Sequence, residues 1–174
     1  MSNELELETQ EQTEETKEIT PIDKKILEIK EQLDPVELID NGYVTATLTV
    51  KPNLLIAKFK SLTGEQVRAI NHESSKFAAP KYDSDKDGAR KVVQDPPSRQ
   101  ELLDFVMYET LSHTLLEVNG KSIGKTKAER LKKIPSMDAT VVTALYKKAH
   151  QFFSAVALLF NDDDEDKQVD TLKN

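Results

Sequence analysis

The chain has 174 residues with 31 acidic and 24 basic side chains and no Cys. That length suits one domain with appendages, and the missing thiols exclude a disulfide framework and fit a reducing compartment. The net charge of −7 is uneven: residues 1–20 carry seven Glu against one Lys, residues 161–174 carry six acids against two Lys, and the body between holds 21 basic and 18 acidic residues.

The acidity therefore belongs to two tails on a nearly neutral body. Residues 1–19 alternate Glu, Thr and Gln with few large apolar side chains, too little to offset the entropy of ordering, and are expected to be a disordered acidic leader. Met1-Ser2-Asn3-Glu4 lacks the basic-then-apolar signal pattern. No apolar run approaches the roughly 20 residues of a membrane span, since even Phe152 to Phe160 is broken by Ser154. The expectation is a cytoplasmic chain without membrane contact.

Thr20-Pro21-Ile22-Asp23 reads as cap, first-turn Pro and N3 acid. The helix it opens places Ile22, Ile26, Ile29 and Leu33 on one face and ends before Pro35. After Asn41-Gly42, Tyr43 to Val50 alternates Val44, Ala46, Leu48 and Val50 against Thr45, Thr47 and Thr49. Leu54 to Lys60 resumes the alternation, which predicts a β-hairpin with one face on the core. Thr63 and Gln66 form a capping box for a helix to about Phe77, with Val67, Ile70 and Phe77 inward.

Residues 78–97 contain three Pro, one Gly and many charges and are expected to be a long surface loop. Ser98 and Glu101 cap a longer helix whose stripe runs through Leu102, Leu103, Val106, Met107, Leu111 and Leu115. Asn119-Gly120 predicts a hairpin joining strands at Leu116–Val118 and Lys121–Ile123. Thr126 and Glu129 cap a short helix ending at Ile134.

The last helix is expected to start near Met137, with Ser136 as a candidate cap and Asp138 in the first turn. Val141, Val142, Leu145, Tyr146, Ala149, Phe152, Phe153, Val156, Ala157, Leu159 and Phe160 share an arc of roughly 160°, wider than the ~100° that covers one neighbour. Thr140, Thr143, Lys147, Gln151 and Ser154 form the opposite seam. Residues 161–174 are expected to be an acidic tail. The fold class is α+β and mostly helical: one domain over 20–160, a β-hairpin packed by four or five helices, with disordered acidic termini.

Four patterns bear on chemistry. Asp83, Asp85, Asp87 and Gly88 match the first half of a calcium loop, a weak candidate because Arg90 and Gln94 occupy positions eight and twelve and no bidentate carboxylate follows. Gly120 to Thr126 falls one residue short of a phosphate-binding loop, so a hairpin followed by a capped helix is the better reading. Lys125, Lys127, Arg130, Lys132 and Lys133 form a basic cluster without aromatic interleaving, which fits a solvated face or contact with the acidic tails better than nucleic acid. It also allows self-association through charge. His72, His113 and His150 lack the neighbours of a metal pair, and no catalytic constellation emerges, so no cofactor and no enzyme activity are expected. The apolar end of the last helix carries the remaining signal: Phe153, Leu158, Leu159 and Phe160 are candidate partner-binding residues, with the buried end of a core helix as the plainer account.

The order of elements adds a resemblance. Leu62 to Glu65 ("LTGE") after the hairpin, Val118 to Gly120 ("VNG"), Glu129-Arg130, Ile134-Pro135 and the spaced aromatic and aliphatic residues from Val141 to Phe160 together resemble the tail assembly chaperones of tailed bacteriophages over about 41–160. The resemblance implies a non-catalytic protein in the host cytoplasm that binds the tape-measure protein and aids recruitment of tail-tube protein. The alternative is a structural component of the tail or baseplate retained in the virion. A calcium-regulated interaction protein is a third class, tied to the 83–94 loop.

Overall fold

The computed structural model describes residues 20–84 and 90–159. The expected acidic leader and tail, and with them Phe160, Asp85 and Asp87, lie outside the described residues.

Short capping signals set most element boundaries. Helix α1 (Pro21–Lys30) begins where the Thr20 hydroxyl accepts from Asp23 N–H and the Asp23 carboxylate accepts from Thr20 N–H. Helix α2 (Pro35–Asn41) was not anticipated. Asp34 Oδ1 accepts from Val36 N–H at 2.9 Å and Pro35 occupies the first turn, so the residue expected only to stop one helix also starts another. Gly42, in the left-handed region at φ 69°, ends it.

Strands β1 (Thr45–Lys51) and β2 (Leu55–Lys60) form the expected hairpin. Helix α3 (Gly64–Ala78) carries the Thr63–Gln66 box, but only Ile70 of its three expected inward residues is buried; Val67 and Phe77 are exposed. Phe77 instead stacks on Phe105 of α4 (Arg99–Thr114), ring centroids 4.4 Å apart. Between these helices the expected long loop contains a second hairpin, β3 (Lys81–Ser84) and β4 (Arg90–Gln94). Pro80 and Pro96-Pro97 bracket the hairpin rather than interrupt it, and Tyr82 and Val92 supply β-forming side chains. It remains a surface feature, with Tyr82 and Val92 exposed.

Helix α4 runs directly into β5 (Leu115–Val118), which joins β6 (Lys121–Ser122) through Asn119-Gly120. Asn119 and Gly120 both have positive φ, 49° and 72°, as a type I′ turn requires. The Asn119 side chain also accepts from Ile56 N–H at 2.8 Å and donates to Leu54 O at 3.1 Å, tying this turn to β2. The resulting antiparallel sheet has the order β1-β2-β5-β6.

Helix α5 (Lys127–Lys133) has half of the predicted box: Thr126 accepts from Glu129 N–H, while Glu129 accepts from Lys125 N–H, one residue early. After the 3₁₀ turn Ile134–Ser136, helix α6 (Ala139–Leu158) starts later than expected. Asp138 caps it by accepting from Thr140 and Val141 N–H, and Ser136 instead donates to Lys133 O. The class is α+β, as expected, with six α-helices among the described residues where four or five were expected, and with the hairpin at Asn119-Gly120 joined to the first one in a four-stranded sheet.

One core joins these elements. Ala46, Leu48, Leu55, Ala57 and Phe59 line the inner face of the hairpin, and Phe59 meets Phe152 of α6 with ring centroids 6.3 Å apart. Val44, Leu111, Leu115, Ile134, Val142 and Leu145 are also fully buried. Helix α6 is covered by α1, α4 and β1, so its wide arc is met largely inside the domain. Helix α1, whose Ile29 is buried in the core, adds a cover beyond the hairpin and α4, and Leu33 just past its end joins the same core.

Candidate partner-binding site

Two surfaces of α6 bear on function: its last turn, and the polar seam opposite its core face. The four expected partner-binding residues separate on inspection. Phe153 is half-buried, packs against the core and sits between the rings of Phe152 and His150. Leu159 is likewise half-buried against the core. Both therefore pack on the core and keep only part of their surface exposed. Phe160 lies outside the described residues. Leu158 is half-buried and, among the described residues, stands outside the core packing. The candidate apolar anchor contracts to Leu158.

The seam has a role that the sequence did not suggest. Thr47 and Thr49 of β1, Lys25 and Glu28 of α1, and Lys147 and Lys148 of α6 line a cleft of about 540 Å³. Ala144 and Gln151 complete its α6 wall. Leu158 follows Gln151 by seven residues, so it continues this wall about 10 Å further along the helix. Burial holds the Lys148 ammonium below the usual lysine range; the neighbouring Lys25 adds to the shift and Glu28 opposes it. Three cations thus share the cleft with one carboxylate.

Of the basic cluster expected to be a solvated face, Lys125, Lys132 and Lys133 are exposed as expected, while Lys127 and Arg130 are built into the fold. Lys127 Nζ lies 2.6 Å from Oε2 of buried Glu109. Arg130 is buried; its Nε donates to Ser112 O at 2.6 Å and its Nη1 to Gly124 O at 3.0 Å, closing the C-terminal end of α4. Gly124 permits this approach, since a Cβ there would stand 2.8 Å from Glu129 Cβ. His113 joins the group, its Nε2 4.0 Å from Glu109 Oε2. Burial, then the charge of Lys127, depresses its pKa, with Glu109 opposing. Nothing in the spacing of this cluster reveals that a carbonyl pair eighteen and six residues back takes up Arg130.

The calcium pattern falls across the second hairpin. Asp83 pairs with Lys91 in register, and Gln94 with Lys81, so neighbouring strands stand where a calcium loop has flanking helices. Among the described residues no group of three His, Asp or Glu could hold a metal ion. Gly120 to Thr126 is the end of a β-hairpin and a helix cap, not a phosphate loop. No helix among the described residues is long and apolar enough to cross a membrane. Comparisons of the chain with family models, curated proteins and solved structures return no match.

Proposed function

We propose that this chain is a non-catalytic tail assembly chaperone of a tailed bacteriophage, binding the tape-measure protein in the host cytoplasm and aiding the addition of tail-tube protein. The motif order from Leu62 to Phe160 supplies the family, and one observation supports a binding role: Leu158 stays outside the core packing at the end of a helix whose other large apolar residues are taken up by it. A half-buried Leu beside a mixed polar wall suits the side of an amphipathic client helix, which offers apolar anchors at i, i+3 and i+4.

Co-expression with the tape-measure protein of the same phage tests the reading. The expected result is a soluble complex containing both chains, with the client insoluble when expressed alone. Client solubility indifferent to this chain would overturn the proposal. Recovery of the chain in purified virions would assign it to the tail structure itself.

A further inference from the structure

Strand β1 is an edge of the main sheet, and its exposed main-chain groups can be identified. Ser61 N–H donates to Val44 O at 2.8 Å, so Val44 faces β2. In an antiparallel pair the main-chain groups alternate between partner and edge. Ala46 and Leu48 therefore face β2 as well, while Thr45, Thr47 and Thr49 turn their N–H and C=O groups outward. Thr45 confirms this alternation, because its N–H donates to Glu37 Oε2 of α2 at 3.0 Å. Among the described residues none takes up the outward groups of Thr47 or Thr49. Two consecutive outward positions on one strand are the template for strand addition.

The cleft beside this edge selects its occupant by charge. Lys25, Lys147 and Lys148 face it against Glu28 alone, and none of the three has a carboxylate within ion-pair distance among the described residues. Glu37 already shows that a carboxylate from the chain's own acidic residues can satisfy this edge. The chain holds nineteen further residues before Thr20, the cap of α1, and α1 forms one wall of the cleft. Within them Glu4-Leu5-Glu6-Leu7-Glu8-Thr9 alternates acidic and apolar side chains with the period of a strand. Residues 161–174 bring comparable negative charge but no such alternation.

We infer that residues 4–9 of the same molecule add as a fifth strand to the free edge of β1, directing one set of alternate side chains into the Lys25–Lys147–Lys148 cleft. The main-chain groups of Thr47 and Thr49 pair with the added strand. The leader's carboxylates neutralise the three lysines, while Leu5 and Leu7, on the opposite face of the added strand, lie along the outer face of the sheet beside exposed Thr47, Thr49 and Ile56. Tethering through a short segment keeps the effective concentration in the millimolar range, so weak contacts suffice. The edge is thereby closed against pairing with other chains. This inference concerns the chain alone and does not depend on the proposed client.

Amide hydrogen exchange on the full chain tests it. Thr47 and Thr49 amides are expected to exchange about tenfold or more slowly than in a Leu5→Asp/Leu7→Asp variant, whose substitutions lie outside the described fold; tenfold corresponds to about 1.4 kcal/mol. Lys147→Glu/Lys148→Glu should produce the same loss of protection, with Leu111 and Leu145 amides unchanged as the check on folding. Because the chain has no Cys, a single spin label at Asn3→Cys should also attenuate the Thr47 and Thr49 signals. Thr47 and Thr49 exchanging at the rate of exposed loop amides in the wild-type chain would overturn the inference, as would protection that survives the leader variant. Attenuation seen only when spin-labelled chains are mixed with isotope-labelled ones would assign the edge to a second copy and equally overturn it.

Discussion

Two cationic regions of this molecule look alike in charge and differ in what answers it. Around α5, Arg130 and Lys127 face carbonyls of Ser112 and Gly124 and the Glu109 carboxylate, and Arg130 and Glu109 are buried. In the α1–β1–α6 cleft, Lys25, Lys147 and Lys148 converge from separate elements onto an open space with one carboxylate. Within the run of basic residues crowded together in sequence, Arg130 and Lys127 are architecture, whereas the dispersed set lines a cleft open to a ligand. A buried cation must be paired and hydrogen-bonded to persist, so its partners are already inside the fold. A charged wall left facing solvent has no such requirement.

The widest separation concerns core against surface on α6 itself. Phe152→Ala should lower unfolding free energy by about 3–5 kcal/mol, because the ring is fully buried against Phe59; denaturant titration checks it. Arg130→Ala should follow with about 1–3 kcal/mol, since it strands the buried Ser112 carbonyl near the end of α4. Lys147→Ala, on the open side of the comparison, should stay within about 0.5 kcal/mol of wild type. Equal effects of these last two substitutions in the same titration would erase the distinction between the regions.

A pH titration sharpens the closed region further. The folded-state pKa of His113 is depressed below its ordinary 6.5 by burial and by Lys127. The unfolded chain therefore takes up a proton at this site more readily than the folded one. Stability from this group is fully present above about 6.5, falls as pH drops through that value, and levels off below the folded pKa. His113→Gln should flatten that part of the stability profile relative to wild type.

Much of the fold was legible from local chemistry. The boxes at Thr20, Thr63 and Ser98, the alternation through β1 and β2, and the Asn119-Gly120 turn each depend on residues within a few positions of one another, and each appears where expected. The misses share a different cause. Pro35 reads as a stop or a start depending on whether Asp34 is free to cap. The β3–β4 pairing is obscured by charge and Pro at its margins. Val67 appears apolar and inward, yet it is exposed where Ile70, three residues on, is buried. The cleft was not legible at all, because its lysines come from α1 and α6 and no spacing links them. Of the candidate anchors, Phe153 and Leu159 separate from Leu158 only once the core packing is in place.

The most direct test of the account is Leu158→Asp in the full chain, measured for stability and for affinity toward the tape-measure protein in the same preparation. The account predicts stability within about 0.5 kcal/mol of wild type together with affinity weakened about tenfold or more, some 1.4 kcal/mol. Unchanged affinity with an intact fold would contradict it.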